Sequence, residues 1–354
     1  MTSTAAAGPR VAVVGAGAWG TTLAALLAGQ EPVTLVCRSE AAAQEIRSSR
    51  RNERRLPGIE LPDGVIPTAA PGAIAGATEL VIVAVPSAHV RDVMTGLAGD
   101  VPASADVVSV VKGLEPGTLL RMSEVIADAG KIDASRIAAL SGPNLAMEIA
   151  RGLPASAVVA ADDPDLADRV VERVGRREFR LYVNSDMLGV ELCGALKNIV
   201  AIAAGAADGL GFGDNGKAGL MTRGLAEMTR LGIAAGANPL TFAGLAGIGD
   251  VVATCGSRLS RNHRLGEELA KGRKWAEIEA SLPGVAEGAY TVDAALELAR
   301  RLDVEMPIAQ EVHNALFEGK SVQRCLIDLL SRESKDELAD YRRWVERIET
   351  TPGE

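Results

Sequence analysis

The chain has 354 residues, of which 47% are hydrophobic, 23% charged and only 3% aromatic. That balance excludes a disordered chain, and the length suits two or three domains at about 150 residues each. Lys and Arg number 37 against 46 Asp and Glu, so the net charge of −9 excludes the basic footprint of a dedicated nucleic-acid binder.

Residues 1–9 are weakly patterned and are read as a tail. Val11–Val14 is a short apolar run followed directly by Gly15-Ala16-Gly17-Ala18-Trp19-Gly20 and a helical stretch, Thr21–Ala28. In this G-x-G-x-x-G setting Gly15 permits the tight turn, Gly17 lets a pyrophosphate approach the backbone, and Gly20 lets the helix lie close to the strand. The helix N-terminus then offers free N–H groups to phosphates. Val11 to Gln30 carries no charge, but its glycines interrupt it too early for an apolar targeting segment.

Val33–Cys37, Leu80–Val85, Val107–Val111 and Ile137–Leu140 are further buried strands, each bounded by Gly, Pro or Asp. Strands alternating with helices predict an α/β fold, a Rossmann-type doubly wound parallel sheet. Ala155–Ala160 and Phe179–Val183, flanking a helix at Pro164–Val174, extend that sheet at one side. After the second strand an NAD site usually offers an acid to the ribose hydroxyls, but Arg38 stands there instead, so NADP is favoured over NAD. The run Arg47, Arg50, Arg51, Arg54 and Arg55 is read first as a solvated helix face, with assistance in phosphate capture as the alternative. Lys112 closes the fourth strand and points at the ligand end of the sheet, and Ser141-Gly142-Pro143-Asn144 follows the fifth in the same layer.

From about Ser185 the periodicity becomes helical, through Met187–Ala207, Leu220–Ala235, Ala286–Leu302 and Pro307–Phe317, with no strand. Asn184-Ser185-Asp186 supplies an N-cap, and Asp208-Gly209 with Gly211 and Gly213 stops the long helix. The expected organisation is a dinucleotide-binding domain at 10–190, an all-helical substrate and catalytic domain at 191–335, and a tail at 336–354. Leu231–Gly249 is uncharged too, but Asn238-Pro239 and its glycines predict helix, turn and loop rather than a membrane span.

Within the long helix Gly194, Lys197 and Asn198 share one face, leaving room for a ligand beside a lysine set in apolar sequence. Burial and a nearby cation would bring that lysine's pKa down to a useful acid–base value, and a carboxylate would oppose this. Gly244-Leu245-Ala246-Gly247-Ile248-Gly249-Asp250 brings flexible backbone to a carboxylate, and Ser260-Arg261-Asn262 forms a plausible phosphate clamp. Val285-Ala286-Glu287-Gly288 precedes another helix. Four Cys and three His lie too far apart in sequence for a metal or disulfide framework, so no metal is expected and a reducing cytoplasm is.

Seven of these motifs, Gly15 to Gly20, Val111-Lys-Gly-Leu-Glu115, Ser141 to Asn144, Gly194-Ala-Leu-Lys-Asn198, Thr222-Arg-Gly-Leu-Ala-Glu227, Gly247 to Asp250 and Ser260 to Asn262, occur in the order found in the bacterial NAD(P)-dependent glycerol-3-phosphate dehydrogenases. The chain resembles that family from about residue 10 to 330. The resemblance implies reversible reduction of dihydroxyacetone phosphate to sn-glycerol 3-phosphate for glycerophospholipid synthesis, and a homodimer. It makes Lys197 the proton donor and Lys112 a lysine touching cofactor and substrate, and in the mechanism this implies Asp250 orients Lys197. It places substrate at Lys112, Gly142, Asn144, Lys197, Asp250, Ser260, Arg261 and Asn262. It places cofactor at Gly15, Gly17, Ala18, Trp19, Gly20, Arg38, Lys112, Ala146, Arg261, Val285 and Glu287. Departures from the family are Ala18 for Ser, Asn144 for Ser or Thr, Leu145 for Phe, and Arg55 for the Tyr before Leu-Pro-Gly. A related two-domain reductase for another small phosphorylated or acidic substrate would need no lysine beside the clamp. A silent nucleotide sensor would have lost both.

Overall fold

The structure is a computed structural model and describes residues 8–333 apart from 71 and 283, together with 336, 337 and 342. The expected tail at 336–354 and the first seven residues of the N-terminal tail therefore lie almost wholly outside the described residues. Val11–Val14 (β1), Val33–Val36 (β2), Val65–Thr68 (β3), Leu80–Val83 (β4), Asp106–Ser109 (β5), Ile137–Ser141 (β6), Ala155–Ala160 (β7) and Phe179–Asn184 (β8) form one sheet. Its order is β3-β2-β1-β4-β5-β6-β7-β8. All neighbours are parallel except β6 and β7.

The near-continuous apolar strands follow from burial on both faces. Val11 and Val13 pack with Leu23 and Leu27 of α1 (Ala18–Ala28), Ile46 of α2 (Glu40–Ser49) and Val170 of α6 (Pro164–Val174). Ala12 and Val14 face the other way, with Met94 of α3 (Val90–Gly96) and Ile126 of α4 (Met122–Gly130). Alternate residues of one strand thus serve two cores. The order reverses between β1 and β4, so the crevice for a ligand opens beyond their carboxyl ends.

Two features depart from the expected sheet. β3 is an edge strand that periodicity missed, because it is four residues long and contains Pro67, which only an edge tolerates. β7 runs antiparallel to β6, since the link between them holds only the short helix α5 (Ala146–Ala150) and lacks a full crossover.

The helical part begins with α7 (Met187–Gly209), capped by the Asp186 carboxylate, which accepts the Gly189 N–H at 2.9 Å. It continues with α8 (Gly213–Ala235), α9 (Pro239–Phe242), α10 (Asp250–Gly256), α11 (Arg261–Ala270), α12 (Trp275–Ser281), α13 (Glu287–Arg301), α14 (Pro307–Phe317) and α15 (Val322–Leu330). By length and composition α7 resembles a membrane span, with mean hydropathy 1.6, but 89% of that window is buried inside the fold. The stretch Pro239–Gly256 passes the same test at 1.3 and is half buried. The expected loop before Asp250 is instead a π-helical turn, Leu245–Gly249, in which the Gly249 N–H donates to the Gly244 carbonyl. Such turns concentrate at functional sites.

Backbone contact between α7 and α11 fixes the relation of their side chains. A Cβ on Gly205 would lie 1.9 Å from the His263 carbonyl oxygen, and one on Gly266 would lie 2.0 Å from that of Ile202. Only glycines at this crossing bring the two helices so close, and α11 starts with the residues of the clamp.

Candidate active site

The turn after β1 has the geometry that its glycines predict. Gly15 has φ +112°, and a Cβ there would press 2.7 Å from the Ala84 carbonyl oxygen; one on Gly20 would strike the Gly15 oxygen at 2.0 Å. Gly17 is open and offers no side-chain cap, so the first N–H groups of α1 remain available. Arg38 is exposed just beyond β2. Trp19 stacks edge-on against Phe179 at 5.9 Å, and its indole N–H has no partner among the described residues. Ala146 lies beside this turn, its carbonyl accepting from the Thr22 hydroxyl at 3.1 Å. These residues fit a dinucleotide: a backbone cradle, free N–H donors, an unpartnered indole and a guanidinium beyond the second strand.

Beyond the sheet, Lys112 from the end of β5 meets the helical part. Its ammonium donates to the Gly142 carbonyl at 2.9 Å and to Asp250 Oδ2 at 2.6 Å. Lys197 from the middle of α7 donates to Asp250 Oδ1 at 2.9 Å and to the Thr254 hydroxyl at 2.7 Å. Thr254 in turn donates to Asp250 Oδ1. Asp250 is only 1% exposed and Lys197 6%, so two ammonium groups share one buried carboxylate. The three groups together carry one excess positive charge in a place where water screens it poorly.

That charge balance sets the acid–base properties. Burial pulls the Lys197 pKa down, the Lys112 charge adds to the effect, and Asp250 opposes it, leaving about 8. Burial works against the Asp250 carboxylate, but the two lysines outweigh it and hold its pKa below the usual range. The space beside Gly194 is taken by Lys112 rather than left for a ligand: a Cβ there would lie 3.3 Å from Lys112 Cγ and 2.9 Å from Ser141 Oγ.

The clamp joins the same cluster through Asn198. Asn262 Nδ2 donates to Asn198 Oδ1 at 2.8 Å, and Asn262 Oδ1 accepts the Gly288 N–H at 3.0 Å. Ser260 caps α11, its oxygen accepting the His263 N–H at 3.2 Å. Much of Ser260 and Asn262 is therefore engaged in building the site, while the Arg261 side chain runs over Gly284, its Nη1 2.8 Å from where a Cβ would stand. Asn144, two positions after Gly142, has both amide atoms buried and without a partner among the described residues. Val285 ends the loop before α13. Glu287, first in α13, bridges the two halves: it accepts the Ser87 N–H at 3.3 Å and the Ser87 hydroxyl.

Thr254 and Ser87 are site-building residues that the motifs did not assign, and Asn198, expected only to share the Lys197 face, holds the clamp's Asn262. Thr254 was discoverable, lying four residues after Asp250 on one helix and so on its face. The basic run is not one helix face as expected. Helix α2 ends at Ser49; Arg50 turns left-handed at φ 54° and donates to the carbonyls of Leu61, at 3.0 Å, and Val65, at 3.2 Å. Among the described residues no group of three or more His, Cys, Asp or Glu is placed to hold a metal.

Residues 10–167 match the family model described as NAD-dependent glycerol-3-phosphate dehydrogenase N-terminus, and residues 186–327 match the model of its C-terminus. The chain is similar to a glycerol-3-phosphate dehydrogenase (NAD(P)+) of Streptomyces coelicolor, 47% identical over 333 residues, 93% of this chain and 98% of that one. It is 45% identical over 330 residues to a protein of the same name in Prosthecochloris aestuarii, covering 93% and 99%. The solved glycerol-3-phosphate dehydrogenase of Coxiella burnetii has a similar structure, with TM-score 0.86 and 37% identity over 91% of this chain and 98% of that one.

Proposed function

The chain belongs to the NAD-dependent glycerol-3-phosphate dehydrogenase family, and we propose that it interconverts dihydroxyacetone phosphate and sn-glycerol 3-phosphate with NAD or NADP at the Lys112–Asp250–Lys197 cluster. The observation that carries this assignment of the site is the pair of lysines on one buried carboxylate, beyond the carboxyl ends of the strands. The nicotinamide cofactor supplies or takes up the hydride when bound. Reducing the ketone places negative charge on its oxygen, which must be stabilised and protonated.

Lys197 gives its proton to that oxygen and becomes a neutral amine, to be reprotonated from water. In the reverse direction the neutral amine takes the proton from the secondary hydroxyl. Lys112 keeps a positive charge beside the oxygen, and Asp250 with Thr254 holds both ammonium groups in register. Arg261 and the N-terminal N–H groups of α11 bind the substrate phosphate, Ser260 and Asn262 hold that end of the helix in place, and Gly142 and Asn144 form the opposite wall. Gly15, Gly17, Ala18, Trp19, Gly20, Arg38, Ala146, Val285 and Glu287 hold the cofactor. The division at residue 190 and the helical unit 191–335 follow the same reading, as do a homodimer and a cytoplasmic setting, the latter favoured by four buried free thiols.

The test is to follow NADPH and NADH oxidation by the purified protein with dihydroxyacetone phosphate. Oxidation is expected, whereas none with either cofactor, in protein that is folded and binds nucleotide, would overturn the reading. Cofactor choice has its own test at Arg38. Arg38→Asp removes a charge-assisted contact to the 2′-phosphate and adds repulsion, so the Kd for NADPH should rise much more than that for NADH in a fluorescence titration. Equal losses would mean that Arg38 does not read the 2′-phosphate.

A further inference from the structure

The arginines after α2 do not all have the same fate. Arg50 donates to backbone carbonyls and Arg51 pairs with Glu53 at 3.5 Å, but Arg55 forms no ion pair with any described carboxylate. Its position is fixed from below. Asn52 is buried, and its Nδ2 donates to the Ala16 carbonyl at 3.0 Å and the Thr21 hydroxyl at 2.8 Å, locking the loop onto the dinucleotide turn. The N–H groups of Arg55 and Leu56 both donate to the Asn52 carbonyl, and Leu56 is fully buried. Arg55 is thus carried on an anchored turn rather than on a free loop.

From that turn its guanidinium reaches the helical half. Arg55 Nη1 and Arg261 Nη1 flank the same point above Gly284, 3.3 and 2.8 Å from where a Cβ would stand. Two like charges from different halves of the chain are brought together there. The acid acting on Arg261 is Glu287, and its oxygens are already engaged by Ser87. Beside them a cavity of about 480 Å³ opens between the halves, lined by Arg54, Arg55, Trp275, Glu279, Val285 and Tyr290, and the Glu279 carboxylate there accepts the Tyr290 hydroxyl rather than pairing with either arginine. Paired guanidiniums that no described carboxylate bridges match a phosphate oxyanion, which accepts from both forks.

We propose that Arg55 is a second anion ligand of the cleft, sharing one phosphate group with Arg261 and so tying the dinucleotide turn to the start of α11 when that group is bound. The inference rests on the dehydrogenase reading for the two phosphates available, that of the substrate and the diphosphate of the cofactor. Both present the same chemistry.

The test compares wild type with Arg55→Ala and Arg55→Lys in the full chain. If the substrate phosphate is the partner, Arg55→Ala should raise the KM for dihydroxyacetone phosphate about tenfold, a typical loss for a charged hydrogen bond, with the nucleotide Kd values changed by less than about twofold. If the cofactor diphosphate is the partner, the Kd values of NADH and NADPH, titrated without substrate, should both rise by about the same factor. Arg55→Lys should recover part of either loss. Changes below about twofold in both measurements would overturn the proposal, being smaller than one such bond. The nucleotide titration needs no turnover, so a wild type inactive toward dihydroxyacetone phosphate would sink the functional reading while leaving this arm intact.

Discussion

Lys197→Ala should lower kcat for dihydroxyacetone phosphate reduction by about 10² to 10⁴, the worth of a positioned acid or base, while the Kd for NADPH stays near the wild-type value. The expected separation follows from where the side chain ends. Its ammonium touches Asp250 and Thr254 and lies among the substrate-facing groups, whereas the dinucleotide turn is built from β1 and α1. The pH dependence gives the sign. With its pKa brought down to about 8 by burial and by Lys112, Lys197 is the protonated donor below that value and loses the proton above it. Reduction should hold steady on the acid side and fall as pH rises through about 8; oxidation of glycerol 3-phosphate, which needs the neutral amine, should rise over the same interval. Lys197→Arg separates charge from proton transfer, because a guanidinium stays positive but does not give up a proton near neutral pH. It should remain folded and slow. Near-normal kcat in Lys197→Ala from about pH 6 to 9, the range such a lysine would govern, would place the donor elsewhere.

How much of this was legible in the sequence depends on whether the feature is local. The glycine turn was readable because sterics near one strand end dictate it: Gly15 and Gly20 each face a backbone oxygen that no side chain could pass. Lys112, Lys197 and Asp250 stood out as a lysine after an apolar strand, a lysine inside an apolar helix and an acid after flexible glycines. Their junction was not readable, because Asp250 reaches Lys112 across 138 positions of chain and Lys197 across 53. The same holds for Gly205 and Gly266, which look like weak points in two helices until the helices cross there. β3 was hidden by Pro67, and the reversal of β7 by the fact that an apolar run carries no sign of its direction. The basic run misled for a physical reason: charge alone marks a solvated face, and only the left-handed Arg50 ends the helix, beyond which Arg51 pairs with Glu53 while Arg54 and Arg55 line the cavity.

Asp250→Asn should both destabilise the protein and shift the pH profile, and the two effects share one cause. The substitution keeps the shape of the side chain but removes the only negative charge in the cluster, leaving the Lys112 and Lys197 ammonium groups facing each other with little water. Breaking a buried pair by neutralising one partner costs about 3–5 kcal/mol, to be read as a lower urea midpoint with an unchanged slope. The Asp250 carboxyl is held below the usual carboxylate range, so its contribution to wild-type stability is present above that range and disappears as pH falls through the depressed value. The gap between wild type and variant should therefore be wide at neutral pH and close in acid. Lys197 also loses the neighbour that most raises its pKa, so the fall in reduction rate should move below the wild-type value of about 8, leaving less of the protonated donor at neutral pH. A variant with wild-type stability and an unmoved alkaline limb would show that Asp250 does not hold the two lysines, and the cluster would then have to be rebuilt around another anion.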